Sequence, residues 1–181
     1  MEVSVGLPLY YIHGKDSGPN GVRSLFLKQK LPHIEIPALP NDIPERLALL
    51  DDLIQSPCVM VATSLGGLTA LLWLKENGAK VKALVLVAPA VGTFDPAYQT
   101  PEILEVFNGL VIPHEIPTWL LAATQDEVIP FVSIEACVSR SQPHPELHYF
   151  RFDEGHLLHS EAALNCLEAS VHAAIRRAEQ A

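Results

Sequence analysis

A single α/β domain, built on a mostly parallel sheet of about six strands with helices on both faces, is the fold class this sequence predicts. Three observations carry that reading. Apolar runs of strand length recur six times along the 181 residues, segments with helical character alternate with them, and the connections between them are short. Consecutive strands separated by helices must run parallel, because a crossover returns the chain to the same end of the sheet. No internal repeat, low-complexity tract or linker divides the chain, and its length lies within the range of one domain, so one unit spanning 1–181 is expected.

The first strand is LPLYYIH, which ends at His13-Gly14 and enters the turn-rich KDSGPNG. A helix over about 20–30 follows, with Val22, Leu25, Phe26 and Leu27 as its apolar face, and HIEIPAL reads as a second short strand. Asp42, with Glu45 three residues on, has the signature of a helix start, and Leu47, Leu50 and Ile54 continue at helical spacing over about 43–55. PCVMVATS is a buried strand that passes at Ser64 directly into LGGLTALLWLKENG, a helix with Gly78 at its C-terminal cap. VKALVLVAPAV is the next buried strand. The less regular stretch 92–116 holds one short helix, begun by Thr100 and Pro101, and is a candidate cap or lid segment. TWLLAAT, the helix PFVSIEACVSR and the strand LHYFRF come next, and Ser160 caps a final amphipathic helix of about four turns bearing Leu164, Leu167, Val171 and Ile175.

Composition narrows the function. With 12 basic against 21 acidic residues the formal charge is −9, which repels phosphate backbones and anionic lipid surfaces, so neither nucleic acid nor membrane is an expected partner. No apolar run approaches the length of a membrane span, and the N-terminus carries an acid at position 2 without a basic region, so a cytoplasmic protein is expected. Cys58, Cys137 and Cys166 lack CxxC spacing and form an odd set, which points to free thiols. The histidines make no HExxH or comparable metal signature, and the first loop is neither GxGxxG nor GxxxxGK[ST], so no metal or other cofactor is expected.

In an open parallel sheet the crevice lies at the carboxyl ends of the strands, and the polar residues falling there are His13 to Lys15, Ser64, Asp126 and Asp153 to His156. Ser64 sits at a strand-to-helix junction with Ala62 before it and Gly66 and Gly67 after it. A nucleophile raised on such a turn needs small neighbours, since bulky ones collide where the backbone doubles back. A serine hydroxyl needs a base, and His156, beyond the last strand, is at the same end of the sheet; His159 is the local competitor. Asp126, after TWLLAAT, is the candidate to orient the imidazole, with Glu127 as the alternative. The order serine, acid, histidine is the one in which this kind of fold supplies a triad. The backbone N–H groups of Leu65, at a helix start, and Lys15, after Gly14, are candidates to receive an oxyanion. His13 reads as a brace for that loop.

On YYIHGKDSGP, MVATSLGG, TQDEVIP and FDEGHLL, the chain resembles the α/β-hydrolase superfamily over nearly its whole length, and within it the compact YqiA-like esterases. The resemblance implies a Ser64, Asp126 and His156 triad, amide donors at Leu65 and Lys15, and acyl transfer from a small-molecule substrate to water. Ala62 stands where the common pattern has Gly, and Lys15 is unusual immediately after His-Gly. The lack of a large cap domain implies an open site. A carboxylic ester is the expected substrate; thioester, amide or C–C bond cleavage would use the same residues, and a non-catalytic binding protein on the same fold is the reading from a different class.

Overall fold

The computed structural model describes residues 6–180, so the N-terminal residues used for the expectation of a cytoplasmic protein lie outside the described set. Among the described residues five parallel strands form one sheet in the order β1 (Leu9–Ile12), β2 (Cys58–Thr63), β3 (Val81–Val87), β4 (Thr118–Ala123) and β5 (Leu147–Phe152). The count is one fewer than the sequence suggests. HIEIPAL makes only an isolated bridge, with Tyr11 N–H donating to Glu35 O and Glu35 N–H to Leu9 O, both at 2.8 Å. Pro37 and Pro40 have no N–H to give, so the ladder stops after two bonds.

Among the described residues six α-helices lie around the sheet: α1 (Val22–Lys30), α2 (Ile43–Leu53), α3 (Leu65–Asn77), α4 (Pro101–Asn108), α5 (Phe131–Arg140) and α6 (Glu161–Ala178). The pleat divides the core in two. From β2, Cys58, Met60 and Ala62 enter the layer shared with Leu50 of α2, Leu71 and Leu74 of α3, Phe107 of α4 and Ile134 of α5. Val59 and Val61 enter the opposite layer, with Leu27 of α1 and Leu167, Val171 and Ala174 of α6. β2 and β4 are buried along their whole length, as expected for strands covered on both faces, whereas β5 at the sheet edge is half exposed.

Asp42, Thr100 and Ser160 cap α2, α4 and α6 by accepting from Glu45, Ile103 and Ala163 N–H respectively. One of these helices departs from the sequence expectation. In α1, Val22 is 89% and Leu25 53% exposed, and the buried residues are Ser24 and Leu27. The helix is turned so that Arg23 reaches the end of β2, where its Nη1 donates to Thr63 Oγ1 at 2.6 Å. Gly78 is the C-cap of α3, as expected, with φ −54°, and it leads into a 3-10 turn over Gly78–Lys80. Stretch 92–116 contains a second 3-10 turn, Pro96–Tyr98, and α4. None of the three cysteines is in a disulfide. Among the described residues no helix is long and apolar enough to cross a membrane.

Candidate active site

The site forms where β1, β2 and β4 end and the loop after β5 folds back. Ser64 lies between β2 and α3 with φ 52° and ψ −120°. Its backbone is pinned on both sides: Ser64 N–H donates to Val87 O at 3.0 Å, and Ser64 O accepts from Leu68 N at 3.2 Å and Ala90 N at 2.9 Å. The next two glycines make the turn possible. A Cβ on Gly66 would lie 1.9 Å from Ile12 O, and one on Gly67 would lie 2.7 Å from Pro89 Cβ. Ala62, the departure from an all-glycine turn, fits with no exposed surface.

Asp126, in the loop after β4, turns one oxygen on its own loop and the other on the histidine. Its Oδ1 accepts from Val128 N at 2.8 Å and Ile129 N at 2.7 Å. Its Oδ2 lies 2.7 Å from His156 Nδ1. A carboxylate can only accept, so Nδ1 carries the ring proton and Nε2 has a free lone pair, which faces Ser64 Oγ at 2.9 Å. The three side chains therefore form one continuous hydrogen-bonded line, and the acid is fully shielded from water while the imidazole retains 13% of its exposure.

The acids near His156 are occupied otherwise. Glu127, the alternative orienting acid, accepts His156 N–H at 3.0 Å and packs where a Cβ on Gly155 would meet its Oε2 at 2.7 Å. Glu154 takes Ser160 N–H at 3.1 Å and Ser160 Oγ–H at 2.5 Å, which ties the histidine loop to the start of α6; these bonds hold its carboxyl below the usual range against the opposing effect of burial. Asp153 accepts from Thr124 Oγ1 at 3.2 Å. His159 is exposed.

The two amides singled out in the sequence are placed differently. Leu65 N–H opens α3, where no residue of the helix can accept it, and neither it nor Lys15 N–H has an acceptor among the described residues. Gly14 lies against the nucleophile: a Cβ there would be 3.3 Å from Ser64 Cβ and 3.8 Å from Ser64 Oγ. The Lys15 ammonium stands 5.9 Å from the centre of the Tyr98 ring in stretch 92–116.

Two arginines that the sequence reading did not single out lie around this site. Arg23 bridges the two halves of the site, with Nη1 on Thr63 and Nη2 donating to Leu157 O, one residue on each side of the Ser64 and His156 pair. Arg46 is fully buried beneath the first loop and donates to Pro40, His13 and Gly14 carbonyls. Arg46 occupies an inward position of α2 beside Leu50, so helical phase alone places it inside; only its charge argued otherwise.

Residues 47–114 match the family model described as serine aminopeptidase, S33. That span includes Ser64 and ends before Asp126 and His156. No curated protein matches the chain in sequence. Among solved structures, the chain is similar to alpha/beta hydrolase domain-containing protein 10 from mouse, with 18% identity, a TM-score of 0.72, and coverage of 94% of this chain and 90% of that one. A monoacylglycerol lipase from Paleococcus ferrophilus gives 14% identity, a TM-score of 0.75, and 95% and 96% coverage. Est1E from Butyrivibrio proteoclasticus gives 15% identity, a TM-score of 0.71, and 97% and 90% coverage. The chain has the α/β-hydrolase fold.

Proposed function

We propose that this α/β-hydrolase-fold chain is a serine hydrolase that cleaves a carboxylic ester through an acyl-serine intermediate. The observation that carries the reading is the line from Asp126 Oδ2 through His156 to Ser64 Oγ, with links of 2.7 and 2.9 Å. Ser64 Oγ attacks the carbonyl carbon as its proton passes to His156 Nε2, and Asp126 stabilises the imidazolium that results. Negative charge gathers on the former carbonyl oxygen, where the Leu65 and Lys15 amides receive it. Collapse of the tetrahedral species breaks the bond to the alkoxy oxygen, which leaves as the alcohol with the proton from His156. A water then gives its proton to the same nitrogen as it attacks the acyl carbon; the bond to Ser64 Oγ breaks, the proton passes from His156 Nε2 to Oγ, and the acid leaves.

An ester is favoured over an amide because a monoacylglycerol lipase and a metagenome-derived lipolytic enzyme are similar over nearly the whole chain, while the aminopeptidase model matches only the part around the nucleophile turn, which both chemistries share. The small molecule is met in an open crevice flanked by stretch 92–116 as a short cap, in a cytoplasmic enzyme of the compact YqiA-like kind. Incubation of wild-type and Ser64→Ala protein with a fluorophosphonate, followed by peptide mass spectrometry, tests the mechanism. Labelling at Ser64 that the substitution abolishes is the expected result; folded protein that resists probes of several sizes overturns it and favours a binding protein on this fold. Parallel turnover of 4-nitrophenyl esters, acyl thioesters and aminoacyl anilides then decides the bond.

A further inference from the structure

Among the described residues Arg46 heads the fully buried side chains in size, and it has no carboxylate partner there. A cation taken out of water without a counter-ion is costly, and burial lowers its pKa to about 10, which still leaves it charged near neutrality. Its compensation is a set of three carbonyls: Nε donates to Pro40 O at 2.5 Å, Nη1 to His13 O at 2.8 Å and Nη2 to Gly14 O at 3.1 Å. Two of these belong to the loop that lies over Ser64.

His13 acts on the same loop. Its ring is fully buried, and Leu39 N–H donates to Nε2 at 3.1 Å, so the ring proton resides on Nδ1, which donates to Gly14 O at 2.9 Å. Gly14 O thus receives two hydrogen bonds from the interior side. In a trans peptide the C=O and the following N–H point in opposite directions. With Gly14 O fixed inward, Lys15 N–H faces away from Arg46, on a loop whose Gly14 Cα is already against Ser64. The far side of the loop is held too: Asp16, with φ 51°, receives Asn41 Nδ2–H at 2.6 Å and gives its own N–H to Asn41 Oδ1 at 3.0 Å.

We infer that Arg46 and His13 are positioning residues that lock the Gly14–Lys15 peptide so that Lys15 N–H is aimed at the oxyanion, a role that rests on the ester-hydrolase reading above. The guanidinium does more than orient. A charged donor on Gly14 O polarises the peptide and strengthens Lys15 N–H as a donor. The planar fork is required, since a lysine ammonium cannot span three carbonyls in its plane.

The test compares Arg46→Lys and His13→Gln with wild type, using 4-nitrophenyl acetate turnover, inhibition by a phenylboronic acid that forms a tetrahedral serine adduct, and the thermal midpoint. In His13→Gln an amide oxygen replaces Nε2 and no donor stands at Nδ1. Loss of an aimed donor lowers kcat roughly 10- to 100-fold, with KM changed less than about twofold, and weakens the boronate by a similar factor. Folded variants that keep wild-type kcat and boronate affinity overturn the inference. A purely structural role would move the thermal midpoint and leave kcat of the folded fraction unchanged. Should neither variant fold, boronate added to wild type shifts the Lys15 amide proton downfield; an unmoved Lys15 beside a shifted Leu65 also overturns it. Wild type that neither turns over esters nor reacts with fluorophosphonate defeats the underlying reading and this inference with it, whereas a labelled, active wild type with indifferent variants defeats this inference alone.

Discussion

Ser64 occupies φ 52° and ψ −120°, a region where a side chain with a Cβ is strained, and its amide and carbonyl bonds to Val87, Leu68 and Ala90 keep it there. A glycine at this position would relieve the strain, while an alanine would not, and both remove the hydroxyl that His156 faces. Elsewhere in a fold, glycine in place of alanine loses stability through chain entropy. Here the order reverses: Ser64→Gly is expected to exceed Ser64→Ala by about 1 kcal/mol, or roughly 2–4 °C in thermal midpoint for a domain of this size. Differential scanning calorimetry of the two inactive variants checks it, and equal midpoints would mean that the turn stores no strain. The same reasoning explains why small residues around Ser64 were informative in the sequence, since the need for them comes from backbone geometry that any occupant must obey.

Glycine has opposite meanings at the two ends of α3. At Gly66 an added methyl meets Ile12 O at 1.9 Å, backbone that cannot swing aside, whereas at Gly78 nothing lies within 4 Å and φ is already helical. Gly66→Ala is therefore expected to cost about 1–3 kcal/mol, and Gly78→Ala to gain about 0.4–1 kcal/mol. Urea unfolding of the pair, read by circular dichroism, decides; a stable Gly66→Ala would show that β1 and α3 can part without loss. Elements of this kind were legible because the apolar runs of β2, β3 and β4 are buried on both faces and need no polar alternation. Ser64, Asp126 and His156 could be singled out because each follows a strand at the sheet's carboxyl end. What was not legible depended on distant partners. Val22 and Leu25 have helical spacing but face water, because Arg23 is drawn to Thr63 and Leu157. HIEIPAL has the composition of a strand but lacks, at Pro37 and Pro40, the donors to extend one. Arg46 looks like a surface charge until the His13 and Gly14 carbonyls that hold it are folded beside it.

Across the whole molecule, the pH response sets two effects against each other. With 21 acidic and 12 basic residues and a pI near 5.3, acidification from neutrality reduces net charge and self-repulsion, which favours the compact state. Two buried histidines oppose this. Burial lowers the pKa of His13 and of His144 below the ordinary 6.5, with Arg46 adding its charge at the first and His114 at the second. Each also accepts a backbone N–H on one ring nitrogen, from Leu39 at 3.1 Å and from Glu146 at 3.3 Å, a bond that protonation destroys. Because the folded pKa is the lower one, the unfolded chain binds more protons as pH drops below about 6.5, and stability falls from there through the folded pKa; above that range both states are neutral and the contribution is flat. The thermal midpoint is expected to decline as pH falls below about 6.5 even as net charge approaches zero, and His144→Gln combined with His13→Gln to flatten that limb. A midpoint that rises toward the pI in wild type would mean that relief of charge repulsion outweighs both histidines.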